Sequence, residues 1–187
     1  MTGLAAKIVA LHVALDDGGV PHAFGGALAL AWCTLRPRGT SGIDLNVFAD
    51  VSHLDRLIAA MPSEVATTPS QRTLLERDGQ ARLFWDDTPI DVFLATTEFH
   101  REAARRVQWQ PFASHTLPFL ACSDLAVFKA FFDRTKDWAD LEEMLQAGTL
   151  DRAQTLGTLV IHLGGADPRV ERLRQLGPPR REPPALS

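Results

Sequence analysis

The chain has 187 residues, 45% hydrophobic and 22% charged, with 19 Lys and Arg against 23 Asp and Glu for a net charge of −4. That length suits one domain, or one domain with a small appended subdomain, and folding it removes roughly 70% of the chain's surface from water, enough for a core that needs neither disulfides nor metal. The acidic balance excludes a protein coated in positive charge that binds nucleic acid unselectively, though a local basic groove stays open.

Lys7, Lys129 and Lys136 are the only lysines, so the positive charge is nearly all guanidinium. That suits bidentate phosphate contacts, and it is also what a GC-rich genome produces. Cys33 and Cys122 have no CxxC spacing and read as reduced thiols, small buried hydrophobes in a cytoplasm. The six histidines contain no HxxxH pair, which argues against a structural zinc site.

Leu4, Ile8, Leu11 and Leu15 recur at helical spacing and run into Asp16 and Asp17, unlike the unbroken apolar core of a signal peptide. No later stretch has the length of a membrane span. Gly18-Gly19 ends this helix, Val20 to Phe24 reads as a short strand, and Gly25-Gly26 turns it into an alanine-rich helix from Ala27 to about Leu35. Ile43, Leu45 and Val47 alternate with Asp44 and Asn46, a strand with one buried face and Asp44 on the other. Ser52 is placed to cap a helix through about Ala60, and Pro69-Ser70 opens another that ends near Asp78-Gly79. Gln80 to Trp85 and Ile90 to Ala95 form a hairpin around Asp86, Asp87 and Pro89, with Asp91 set against the apolar alternation of Ile90, Val92 and Leu94.

Glu98 to Arg106 reads as a short polar helix, and Val107 to Ala113 and Leu117 to Ala121 as extended segments. From Ser123, read as an N-cap, the chain is helical, with one stripe of Leu125, Phe128 and Phe132 and the next of Trp138, Leu141 and Leu145. Asp151 to Leu163 and Pro168 to Leu176 add two more helices, and the proline-rich end frays. The expected organisation is an α+β core over 1–122, a helical subdomain over 123–176 and a disordered tail over 177–187.

Residues 24 to 48, FGGALALAWCTLRPRGTSGIDLNVF, followed by Lys129 and by Arg134, Lys136, Asp137 and Asp140, resemble the nucleotidyltransferase-like toxins of the abortive-infection AbiEii/MenT type, within the minimal nucleotidyltransferase superfamily. The likeness covers about residues 20 to 146. It implies a nucleotidyltransferase-like mixed sheet with flanking helices, Mg²⁺ as cofactor and an NTP as substrate. The implied reaction moves an NMP onto an acceptor, a tRNA 3′ end or, alternatively, a protein hydroxyl. A cognate antitoxin protein, a cytoplasmic setting and no membrane or DNA partner are also implied.

The chemistry wants these residue types. Moving a nucleotidyl group passes negative charge through a phosphoryl centre, so catalysis rests on positioning and on a cation that neutralises oxygens. Asp44 and Asp91 each sit opposite an apolar strand face and are the expected metal pair, while the family's first metal-binding Asp is Gly42 in this chain. A missing carboxylate predicts impaired transfer, or a silent module that binds a nucleotide or protein partner.

Gly25 and Gly26 read either as a phosphate-approach turn or as an ordinary tight turn. Lys129 lies at the edge of its helix's apolar stripe, where its ammonium either emerges into a cleft or simply snorkels, and the resemblance assigns it to phosphate. Asp137 and Asp140 share a helical face, where they either serve Lys129, the nucleotide or an acceptor, or favour a helix start. Arg38 and Thr40 match the motif, Arg36 clamps phosphate or only solvates a loop, and Thr40 and Ser41 read as a polar turn or as phosphorylation sites that would repel a triphosphate. Trp32, Phe128, Phe131 and Phe132 are expected in the core.

Overall fold

Period-two alternation in the middle of the chain produces a sheet, and the 3.6-residue period after it produces packed helices. The structure is a computed structural model and describes residues 3–177, so the expected tail lies outside the described residues apart from Gly177. In chain order the elements are α1 (Leu4–Asp17), β1 (His22–Phe24), α2 (Gly26–Thr34), β2 (Ile43–Val47), α3 (Leu54–Ala60), α4 (Pro69–Asp78), β3 (Gln80–Trp85), β4 (Thr88–Leu94), α5 (Glu98–Ala103), β5 (Gln108–Phe112), β6 (His115–Phe119), α6 (Cys122–Phe132), α7 (Thr135–Gln146), α8 (Arg152–Leu163) and α9 (Pro168–Gln175). The strands form one mixed sheet in the order β3-β4-β2-β1-β6-β5. β2 runs parallel to β4 and β1 to β6, and the other pairs are antiparallel. This is the α+β class expected from the sequence. By packing the chain divides into two units, one of residues up to Ala29 with Pro37–Ala121, the other of Leu30–Arg36 with the chain from Cys122 onward.

In the first unit, Ile43, Leu45 and Val47 of β2, Ile90, Val92 and Leu94 of β4, and Ala81, Leu83 and Trp85 of β3 are all buried. They share one sheet face, and each large apolar side chain there contributes roughly 1.5–3 kcal/mol of burial. The alternation leaves Asp44, Arg82 and Asp91 on the opposite face. Lys7 of α1, only 2% exposed, donates to the Trp85 carbonyl at 2.8 Å and to Thr88 Oγ1 at 2.9 Å and lies 3.1 Å from Asp86. It thereby ties α1 to the β3–β4 turn, which is shorter than expected because β4 begins at Thr88 and takes in Pro89.

Two helix starts, those of α3 and α6, differ from expectation, while α4 opens at Pro69 as expected. Asp50, not Ser52, does the capping, its Oδ1 accepting from Ser52 N at 3.0 Å to open a 3₁₀ turn, Val51–His53, ahead of α3. α4 is capped by Thr68, in a reciprocal pair with Gln71, one residue before the proline. α6 begins at Cys122, so Ser123 is inside the helix. The expected helix to Arg106 also splits, since α5 ends at Ala103 and a 3₁₀ turn covers Ala104–Arg106.

His12 and His22 are buried with His12 Nδ1 3.0 Å from His22 Nε2, and His22 Nδ1 is 2.8 Å from the Val20 carbonyl oxygen. The carbonyl only accepts, so His22 carries its proton on Nδ1 and His12 donates to Nε2. Burial pushes both pKa values down, against the pull of Asp16 on each and of the Val20 carbonyl on His22. Burial holds His100 down to about 4, partly offset by the Leu94 carbonyl. The folded chain therefore prefers neutral histidines while the unfolded chain protonates near 6.5, so their stabilisation is complete above that pH and is lost as pH falls toward 4. For His100 the loss is about 3 kcal/mol. Urea denaturation at pH 7.5 and 4.5 measures it, with His100→Gln expected to flatten the profile; a parent chain equally stable at both pH values contradicts the reading.

In the second unit α6 to α9 bury Leu125, Ala126, Ala130, Trp138, Leu141, Met144, Leu159, Val170 and Leu173. Phe131 and Phe132 depart from the expected core placement, at 42% and 39% exposed, while Trp32 and Phe128 are half-buried. Their rings are covered by guanidinium groups instead of by aliphatic neighbours: Arg169 lies 5.1 Å from the Phe131 centroid and Arg134 5.0 Å from that of Phe132.

The two cysteines correct the expectation of reduced thiols. Cys33 in the last turn of α2 and Cys122 at the start of α6 are joined in a disulfide with Cα atoms 5.6 Å apart, an approach hidden by a sequence separation of 89. The redox argument for a cytoplasmic location falls with it. Reduction is expected to cost about 2–4 kcal/mol because the unfolded chain regains a long loop. Denaturation with and without a phosphine reductant checks this, and identical midpoints would count against the bond.

Candidate functional site

β2 and β4 are neighbouring parallel strands in which Asp44 and Asp91 are register partners. Period two sends both side chains to the polar face of the sheet, a strand spacing of about 4.8 Å apart at the backbone. On the other side of β4, Arg82 is the register partner of Asp91 and grips it with both arms, Nε to Oδ1 at 2.7 Å and Nη2 to Oδ2 at 2.8 Å. The hydrogen-bonded carboxylate of Asp91 is the main cause that raises the Arg82 pKa, and the charge of Asp44 adds a smaller pull.

The glycine turn is explained by what fills the space beside it. Gly25 N donates to the Asp44 carbonyl at 2.8 Å, closing the turn onto β2. Gly26 has φ +53°, and a Cβ there would lie 1.9 Å from Asp44 Oδ2. A Cβ on Gly25 would lie 2.6 Å from Asn46 Nδ2. Both positions lack side chains because polar side chains of β2 occupy the room. The Asp44 carboxylate is thus set against the first residue of α2, where unfilled N–H groups favour negative charge.

Gly42 lies just before β2. Thr40 Oγ1 donates to its carbonyl at 2.9 Å and accepts from its N–H at 3.3 Å, so the half-buried Thr40 hydroxyl pins this backbone. A Cβ at position 42 would meet Pro89 Cγ at 3.1 Å and the Pro89 carbonyl oxygen at 3.2 Å, so both the ring and the β4 backbone must give by a few tenths of an ångström to admit a side chain there. Arg36, Arg38 and Ser41 are exposed on the preceding loop.

Among the described residues no three His, Cys, Asp or Glu side chains gather as a metal cage. Magnesium is commonly held by one or two carboxylates together with waters and substrate phosphates. The donor chemistry of Asp44 and Asp91, two carboxylates in register on one sheet face, fits an ion shared with a nucleotide and does not fit an all-protein site.

Within the second unit, Lys129 is 6% exposed, with Nζ 2.5 Å from Asp140 Oδ2 and 3.7 Å from Asp137 Oδ1. Asp137, 1% exposed, also accepts from Arg134 Nε at 2.6 Å and Nη2 at 3.1 Å. The fold brings these residues together as a buried charged cluster, and Asp137 also lies in the first turn of α7, where a carboxylate favours the helix start. Arg82 and Asn46 are the polar-face residues that sequence reasoning missed. Their signal was positional: Asn46 is two residues from Asp44 on one strand, and Arg82 lies opposite Asp91 in the hairpin. A groove of about 710 Å³ between α1 and the β5–β6 turn, lined by Val9, Val13, Ser114 and His115 among others, contains none of the candidates.

No protein-family model and no curated protein matches the chain. Among solved structures it is similar to the antibiotic-resistance factor ANT(2'')-Ia, whose solution structure is described as revealing substrate-regulated conformation dynamics. That likeness covers 91% of this chain and 88% of that one at 14% identity, with a TM-score of 0.50. It is also similar to an antigenic nucleotidyltransferase-like protein from Paracoccidioides brasiliensis, over 88% of this chain and 91% of that one, at 13% identity and a TM-score of 0.46. The fold is nucleotidyltransferase-like.

Proposed function

We propose that this protein transfers a nucleotidyl group from a nucleoside triphosphate to an acceptor, using a magnesium ion held by Asp44 and Asp91 together with the phosphates. The observation that carries the reading is the register pairing of these two carboxylates on one polar sheet face, beside a glycine that leaves room for one of them. When bound, magnesium neutralises charge on the phosphoryl oxygens. The chain's own residues orient the rest: Gly26 seats Asp44 at the start of α2, and Arg38 lies exposed on the loop before β2. The resemblance gives Lys129, Asp137 and Asp140 roles toward the nucleotide, and in their own unit they neutralise one another.

The acceptor assigned by the resemblance to toxins is the tRNA 3′ end, with a protein hydroxyl as the alternative. Blocked translation is the consequence and an antitoxin the restraint. Gly42 leaves the site one carboxylate short, so the parent chain is impaired. Gly42→Asp is expected to raise transfer about 10- to 100-fold, the range lost when a metal site's support is removed. Incubation of both chains with each labelled NTP, Mg²⁺ and total tRNA tests this, and absence of label on RNA or protein from either chain removes the transferase reading.

Gly42 also favours a second reading, a silent module that binds a nucleotide or protein partner. Equal NTP binding by both chains without transfer supports it. Phosphorylation on the loop before β2 belongs to the first reading, as a block to the triphosphate. Ser41 is the accessible hydroxyl, Thr40 being engaged with Gly42. A phosphorylated Gly42→Asp chain that binds NTP undiminished discards that idea.

A further inference from the structure

The carboxylate proposed to hold the cation is already holding one. Asp91 receives both arms of Arg82 at 2.7 and 2.8 Å, the fork geometry that makes arginine–carboxylate pairs short and directional. Arg82 belongs to β3, an edge strand of the sheet, and its side chain is 59% exposed against 31% for Asp91. Its backbone is held separately, the carbonyl accepting from Gln71 Nε2 at 2.7 Å. The guanidinium can therefore leave while the strand stays. With glycine at position 42, the pair Asp44 and Asp91 supplies two negative charges, and Arg82 cancels one of them before any ion arrives.

We propose that Arg82 is a positioning residue that stands in for the cation at Asp91, so that a divalent ion binds by displacing the guanidinium, which then turns its donors to the phosphates of the nucleotide. This rests on the reading of Asp44 and Asp91 as the ion's ligands. It makes the two ligands of the site interdependent: the ion frees the arginine, and the nucleotide's phosphates give the freed arginine an anionic partner. A cross-strand surface pair with no such role contributes little and changes neither affinity in a linked way.

The test uses the full chain, Mn²⁺ as the ion probe, read by the loss of its free electron-resonance signal, and a non-hydrolysable nucleoside triphosphate titrated with Mn²⁺ present. Arg82→Gln is expected to bind Mn²⁺ about three- to tenfold more tightly than the parent, and the triphosphate more weakly by a similar factor. Arg82→Lys, which keeps the charge and loses the fork, falls between for both. Opposite shifts in the two affinities are the signature that a merely structural pair does not produce. Equal or weaker Mn²⁺ binding by Arg82→Gln, with Asp91→Asn still abolishing binding, overturns the role of Arg82 and leaves the ion site standing. If neither the parent nor Arg82→Gln takes up Mn²⁺ at millimolar concentration, the ion site fails and this proposal fails with it. Thermal melts followed by circular dichroism confirm that the compared chains are folded.

Discussion

Gly26→Ala is expected to abolish nucleotidyl transfer and to destabilise the fold, and Asp44→Ala in the same chain is expected to return part of the stability without the activity. Two costs fall on the single substitution. A left-handed backbone at φ +53° costs alanine about 1–2 kcal/mol relative to glycine. The new Cβ also lands 1.9 Å from Asp44 Oδ2 and 2.4 Å from Asp44 Cγ, overlaps that force the carboxylate off its place at about 1–3 kcal/mol more. Removing the Asp44 carboxylate leaves the backbone cost and a Cβ–Cβ contact at 3.0 Å. Urea denaturation of the four chains gives a coupling of about 1–3 kcal/mol if the glycine exists to seat Asp44. Additive losses would show instead that the glycine serves the turn alone, and the case for a built carboxylate site would weaken with it.

That cycle also marks where sequence reading stopped. Alternation of Ile43, Leu45 and Val47 with Asp44, and of Ile90, Val92 and Leu94 with Asp91, sufficed to put both aspartates on polar strand faces, because a strand's side-chain period is fixed at two. That the strands are neighbours, in parallel and in register, is set by packing between segments nearly fifty residues apart, which no local pattern records. Gly25-Gly26 illustrates the same limit. The sequence leaves a phosphate-approach turn and an ordinary tight turn both open, and it does not record that Asp44 and Asn46, of a strand that comes later in the chain, fill the space beside the two glycines. Cys33 and Cys122 were misread for the opposite reason, since an unremarkable spacing says nothing about ends that the fold brings within bonding distance. Phe131 and Phe132 are expected in the core, yet their faces lie under Arg169 of α9 and under Arg134, two residues along the chain from Phe132.

Lys129→Met is expected to cost about 3–5 kcal/mol, the penalty for leaving a buried charge without its partner. The lysine supplies the ammonium that faces Asp140 at 2.5 Å and Asp137 at 3.7 Å, and both aspartates are all but sealed from water. Asp137 keeps Arg134 after the substitution, and Asp140 loses the ammonium at 2.5 Å. Replacing the pair together, Lys129→Met with Asp140→Leu, trades a buried ion pair for apolar volume and is expected to recover most of the stability, since such exchanges are often neutral. Denaturation of the single and double variants measures this, and a single variant within about 1 kcal/mol of the parent contradicts the picture of a sealed charge cluster. Transfer by the recovered double variant, made on the Gly42→Asp background, then assigns the ammonium. Retained activity makes Lys129 a counter-ion for its own helices, whereas a stable chain without activity gives the Lys129–Asp140 pair the part toward the nucleotide that the resemblance implies.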